Sequence, residues 1–310
     1  MTTPSSLQEL QALFGLLRDA RTTNELAVAA LTAVVLEHLV NFPDEVNLVW
    51  KSRFSIANVA YICIRYFTLF VLCIDLSFML RAEWSDHTCQ AFLLGEMVLS
   101  TVIVVFADAI LVFRVWILYG RSRVLLYVMV PLIIAEIIAM IIVGVDTIRP
   151  LSQYVHVGPL LGGCYSLEVP RLFTYYAVPP FITAGLMFAM TAYKCGTALL
   201  ANGRSRTPVI AIFMRDGLFW FLALLLVSIV EIVLWHNGRP TLAQIPVVPS
   251  TAFIAIISAR VVLNIKHVAS ATHVASTTLP GGTMVVDTAF EARRPDTVDA
   301  GGWANSQDTW

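Results

Sequence analysis

The chain has 310 residues, 58% of them hydrophobic and only 13% charged, with a formal net charge of −1. Soluble domains carry about a quarter charged residues, so a chain this apolar is excluded from the ordinary soluble class. The near-neutral balance supplies no basic surface, and no nucleic-acid partner is expected.

Before the first long apolar run, Leu7, Leu10, Leu13, Phe14 and Leu17 recur at helical spacing, with Glu9, Arg18 and Asp19 between them. That pattern predicts a short amphipathic helix on the membrane surface within residues 1–25. The segment lacks a basic n-region and a long apolar stretch, so it does not read as a secretory signal. Hydrocarbon about 30 Å thick takes roughly 20 helical residues per crossing. Spans are predicted near 26–42, 54–78, 90–117, 124–147, 173–194, 216–236 and 244–265. Their apolar runs are continuous rather than alternating at every second residue, which points to helices and not barrel strands. The expected fold class is all-α, an integral membrane bundle of seven transmembrane helices over residues 26–267. Pro179–Pro180 and Pro246 with Pro249 predict bends in the outer parts of spans five and seven. From Val268 the composition turns to Ser, Thr, Gly, Pro and Asp, which predicts a disordered tail over 268–310.

Basic residues in short loops stay cytoplasmic. Lys51, Arg53, Arg114, Arg121, Arg123, Lys194, Arg204, Arg206, Arg215, Arg260 and Lys266 fall on one side. Arg18, Arg21, Arg81, Arg149, Arg171 and Arg239 fall on the other. This asymmetry predicts the N-terminus outside and the C-terminus in the cytosol. Cys89 and Cys164 then both lie on the oxidising face, where disulfides persist, and a bridge between them is expected.

Charged residues inside the spans cost roughly 2.5–3.5 kcal/mol each on insertion scales and are functional candidates. Arg65 falls near the midplane at the depth of Glu136, with Asp108 a little further towards the cytosol, so a buried pair of Arg65 with Asp108 or Glu136 is expected. Asp75, Glu96 and Glu231 share a shallow outer level. If their faces converge they form an acidic pocket suited to a cationic ligand or a proton; otherwise each bonds to a neighbouring Ser, Thr or Tyr. His38 beside Glu37 offers a pH-sensitive neighbour. Lys51, Lys194 and Lys266 lie at the predicted cytosolic edges, so no lysine sits where retinal would be carried. No hydrolase elbow, zinc motif or phosphate-binding loop occurs, and neither an enzyme nor a cofactor is expected.

The segments Leu36-Glu37-His38-Leu39 and Asp44-Glu45-Val46-Asn47-Leu48-Val49-Trp50-Lys51 resemble the start of a multi-span group common in mushroom-forming fungi. Its N-terminal part is known only as domain of unknown function 6533. Arg65-Tyr66, Arg114 with Leu118-Tyr119-Gly120, Arg215-Asp216-Gly217, and Arg260 with Asn264 extend the resemblance over about 36–266. The chain departs at Leu36-Glu37, where the group usually has Tyr-Asp, and at Asn41, where it has Thr. The resemblance implies seven spans and no established activity. Asp44, Glu45, Arg114, Arg215, Asp216 and Arg260 gather at the predicted cytosolic face, as an ionic latch or as ordinary interfacial residues.

The leading expectation is a receptor-like protein in the plasma membrane or another secretory-pathway membrane. It would sense a small cationic ligand on the outer side and signal to a cytosolic protein. The topology resembles that of G-protein-coupled receptors, but Phe113-Arg114-Val115 replaces their acidic-Arg-Tyr triplet. A proton- or cation-coupled transporter or channel and a structural scaffold are the alternatives. The orientation predicts that, in intact cells, an impermeant thiol reagent labels Arg239→Cys. Arg204→Cys should react only after permeabilisation, and the reverse pattern would overturn the assignment.

Overall fold

A computed structural model describes residues 4–52, 55–81, 84–154, 164, 171–202, 208–237 and 243–277. Within them are seven helices: α1 (Pro4–Glu45), α2 (Ile56–Leu80), α3 (Asp86–Leu118), α4 (Arg123–Tyr154), α5 (Val178–Asn202), α6 (Pro208–Asn237) and α7 (Val247–Thr277). No strand occurs among the described residues. Each helix contains a stretch long and apolar enough to cross a membrane. The chain is a multi-pass integral membrane protein, as its composition requires.

Six of the predicted spans fall within a few residues of the observed ones, and the first differs. α1 is continuous from Pro4 and passes without a break through residue 25, so the expected separate surface helix is its first part. At about 1.5 Å per residue its 42 residues reach about 63 Å, twice the hydrocarbon thickness. Pro43 does not end it. The chain instead widens into a π-helical turn, Val46–Trp50, closed by Lys51 N–H to the Val46 carbonyl. The first span therefore runs to Trp50, eight residues past the predicted end at 42.

Local chemistry explains the other boundaries. Ser55 and Ser85 accept the N–H groups of Asn58 and Thr88, capping α2 and α3. α3 stops where Gly120 takes φ +63°, and the Arg121 N–H returns to the Trp116 carbonyl. Pro179–Pro180 and Pro249 occupy the first turns of α5 and α7, where a missing N–H costs nothing. The expected bends are thus helix starts, and a 3₁₀ turn, Arg171–Ala177, leads into α5. α7 continues ten residues beyond the predicted boundary at 267, to Thr277. The rest of the predicted tail lies outside the described residues.

α7 and α3 are central: 61% and 44% of their apolar windows are buried, against 11% for α6. α7 packs on α1, α2, α3 and α6, and α3 also meets α2, α4 and α5. The main core brings Tyr61 and Ile64 of α2 against Ile103, Leu111 and Val115 of α3 and Ile257 and Val261 of α7. Large apolar residues such as Ile138, Ile141, Leu226 and Val230 remain exposed on outer faces, where lipid replaces water as the neighbour. At one end of the bundle Cys89 and Cys164 form a disulfide beside a stack of Phe92, Phe78 and Trp84. Cys164 is thereby tied over the head of α3.

Replacing Cys89 or Cys164 by Ser should remove any reduction-dependent gel shift and lower the melting temperature. Loop-closure entropy over 75 residues sets a ceiling of about 4.5 kcal/mol. An unchanged melting curve would count against the bridge as a tie.

Candidate functional site

At the end opposite the disulfide, Arg65 is fully buried, with 1% of its surface exposed. Its Nη1 donates to Glu37 Oε2 at 3.2 Å and its Nη2 to the His38 carbonyl at 3.0 Å. Its Nε lies 3.0 Å from Glu45 Oε2 as an ion pair, not aligned for a hydrogen bond. Both carboxylates are further held. Asn41 donates to Glu37 Oε1 at 2.6 Å, and the Tyr66 hydroxyl and Trp50 indole donate to Glu45 Oε1 at 2.8 and 2.9 Å. The guanidinium also lies 5.5 Å from the centre of the Tyr61 ring. Two carboxylates therefore clasp one cation, and the other oxygen of each accepts from Asn41 or from Tyr66 and Trp50.

The expected pairing of Arg65 with Asp108 or Glu136 is corrected. The sequence reading placed Glu37 near the inner end of a span closing at 42 and Glu45 at the cytosolic face, and matched Arg65 by depth to Asp108 and Glu136. Because α1 and the π turn continue to Trp50, Glu37 lies about 20 Å inside that end, by the helical rise. The π turn begins directly after Glu45, which is 0% exposed.

Of the expected latch of Asp44, Glu45, Arg114, Arg215, Asp216 and Arg260, the described ion pairs include Asp44, Glu45 and Arg260. Asp44 pairs with His267 at 3.3 Å, and Arg260 approaches Glu37 at 3.8 Å, both linking α1 to α7. Glu45 belongs to the Arg65 cluster. Arg114 is buried in α3 within electrostatic reach of Cys195 of α5. Arg215 and Asp216 lie on α6, and their side chains fall outside the described residues. Lys266, assigned no role from sequence, ties α7 to the π turn. Its ammonium donates to the Leu48 carbonyl at 2.8 Å, to Ser52 at 3.1 Å and to Asn58.

Between α3, α5, α6 and α7, nearer the disulfide end, lies a cavity of about 170 Å³. Apolar side chains make most of its wall, including Leu93, Val104, Leu111, Leu224 and Ile254. Phe173, Tyr176 and Trp235 form an aromatic group at its upper side, with Phe173 and Trp235 centroids 4.6 Å apart. Three acids line it: Glu96, Asp108 and Glu231. No Lys, Arg or His is among its described lining residues. Gln244 donates to Glu96 Oε2 at 3.2 Å, and Ser250 bonds Glu231. Glu96 Oε1 and Asp108 Oδ2 are buried without a hydrogen-bond partner.

Of the expected outer pocket, Glu96 and Glu231 meet at this cavity, and Asp75 does not line it. Asp75 is buried behind α3, near enough to act electrostatically on Glu96. Asp108, expected to face Arg65, is a cavity acid instead. It contacts the carboxyl of Glu136, which also has Thr183 beside it. Sequence reasoning missed Gln244, Tyr176 and the 3₁₀ segment. The period of α3 carries the one legible signal, since Glu96, Ser100, Val104, Ala107, Asp108 and Leu111 share a helical face.

Breaking the clasp should be costly, because each removed partner strands a buried charge. Arg65→Met is expected to destabilise the protein by about 3–5 kcal/mol, read as a fall in melting temperature. Arg65→Lys keeps the charge but not the fork, and should still lose about 1.5–3 kcal/mol. A lysine variant that melts like the parent would show that charge alone suffices.

Residues 26–70 match the model of a family described as a family of unknown function (DUF6533), the remainder of the chain lying outside the match. The matched segment contains Glu37, Glu45 and Trp50 of α1 and its π turn, and Tyr61, Arg65 and Tyr66 of α2. No curated protein and no solved structure matches the chain.

Proposed function

We propose that the protein is a receptor-like seven-helix membrane protein that takes a compact apolar amine into the α3–α5–α6–α7 cavity. The cavity faces the outer side under the charge-derived orientation, and a cytosolic partner reads the opposite, basic face. One observation carries this reading: a largely apolar cavity holds three carboxyl groups, two with unbonded buried oxygens, and no described basic side chain. Pockets of this composition orient a ligand through a few polar groups while the apolar wall supplies affinity. A volume near 170 Å³ suits a molecule somewhat larger than benzene, which fills a cavity of about 150 Å³.

The two ends of the bundle share α3 and α7. Below Leu111 the core closes around Val115, Phe221, Ile257 and Val261, so the described cavity does not continue to the Arg65 end. A ligand that drew α3 and α7 together at the cavity would bias the α1–α7 contacts made by Arg260, Lys266 and His267 at the far end. That differential contact is what a two-state receptor requires.

A second reading rests on the Asp108–Glu136 contact. Two acids facing each other at mid-depth, with no basic partner among the described contacts, suit a proton site in a transporter. Reconstituted protein distinguishes the two. Benzylamine or cyclohexylamine should raise the melting temperature, corresponding to about 2.7 kcal/mol at one hundred times Kd, and benzyl alcohol much less. Glu96→Gln or Glu231→Gln should weaken that effect about tenfold or more, a loss of at least 1.4 kcal/mol. Proton or cation flux abolished by Asp108→Asn or Glu136→Gln would replace the receptor reading with transport.

A further inference from the structure

On the outer surface between α3 and α4 runs a second concavity, about 400 Å³, lined entirely by those two helices. Val98, Ile141 and Val145 on its rim are each more than two-fifths exposed, on a face that lipid covers. Val102, Val105 and Phe106 extend it along α3. Thr101 is the one polar side chain among its described lining residues, and that hydroxyl is turned inward to the Tyr176 hydroxyl.

The groove and the internal cavity share two walls, Met97 and Met140. Met97 lies across Gly144 of α4, where a Cβ atom would meet its Cε at 2.8 Å. The glycine thus lets the methionine fill the seam between the helices. Beside it, Tyr176 lines the cavity and contacts Thr101 of the groove, and its hydroxyl lies 3.2 Å from the Met97 carbonyl. The partition is therefore one side chain thick. Methionine is unbranched and has three rotatable bonds, so it vacates such a seam without moving backbone.

We propose that the ligand of the cavity reaches it sideways from the bilayer, through the α3–α4 groove and past Met97 and Met140. This inference rests on the cavity being a ligand site. It narrows the ligand class to lipophilic amines that partition into the membrane in their uncharged form. An apolar groove has no affinity for a hydrated ion. Seen from the groove, the carboxyl groups lie behind the methionines, so on this route recognition of the nitrogen follows passage.

The test uses a thiol within the cavity and needs no amine. Ser228 of α6 lines the cavity on the side away from the groove, and its hydroxyl bonds only the Leu224 carbonyl of its own helix. Ser228→Cys is placed in full-length protein with Cys63, Cys73 and Cys195 replaced by Ala and the disulfide kept. In proteoliposomes, N-ethylmaleimide, which is uncharged and enters lipid, should label it. Sulfonatoethyl methanethiosulfonate, which is charged, should react far more slowly. Val102→Trp or Ile141→Trp fills the groove without touching the cavity and should slow N-ethylmaleimide about tenfold, equivalent to 1.4 kcal/mol on the barrier. Ile134→Trp, equally lipid-facing but off the groove, should leave the rate unchanged and serves as the folding control.

Labelling that ignores both tryptophans, labelling at equal rates by the charged reagent, or no labelling at all would each overturn the lateral route. Failure of benzylamine to stabilise the protein would instead sink the amine assignment. A blocked groove would still slow the maleimide in that case, so the two failures are told apart.

Discussion

The clasp of Glu37 and Glu45 on Arg65 governs how α1, α2 and α7 come together. A guanidinium in hydrocarbon is tolerable only with its charge matched and its N–H groups engaged. Satisfying it draws two carboxylates from α1, which in turn requires α1 to persist through Pro43 and widen into a π turn. The turn presents the Leu48 carbonyl to Lys266, which ties α7 to it. Arg260 then approaches Glu37 from the same helix. One buried cation thereby sets the depth of three helices, and the apolar core between α2, α3 and α7 fills the space they define.

That arrangement divides the bundle by chemistry. Acids at the Arg65 end are paired with bases or held by Asn, Tyr and Trp donors. Acids of the α3–α5–α6–α7 half face apolar walls, and their described partners are neutral side chains or other acids. The first kind of site matches its acids with a buried cation. The second has none among its described lining residues, and that contrast underlies the functional reading. The segment that matches a family model, 26–70, contains Glu37, Glu45 and Arg65 of the clasp. The cavity lies outside it, which separates what that family model describes from where this chain would bind its ligand.

Sequence and structure agree where a single helix decides the outcome, and part company where two helices must meet. Seven crossings were legible because each apolar run is long. The mutual proximity of Cys89 and Cys164 was legible from their shared side. Proline positions misled: Pro179, Pro180 and Pro249 look like kinks in an apolar run, but each occupies a helix start. Pro43 lies just past the predicted end of span one at 42 and is helical. That boundary put Glu37 near the inner end of its span and Glu45 outside it, while depth alone matched Arg65 to Asp108 and Glu136.

The amino-acid sequence by itself determined that this is an all-helical seven-span membrane protein with charged residues at several depths. Apolar length and helical rise are properties of one segment and its solvent. Which acid meets which base was decided only by the tertiary structure, because it depends on the rotation and depth of each helix against its neighbours. The same holds for the cavity and for the methionine partition between it and the lipid. Both are gaps between helices, and no single helix encodes a gap.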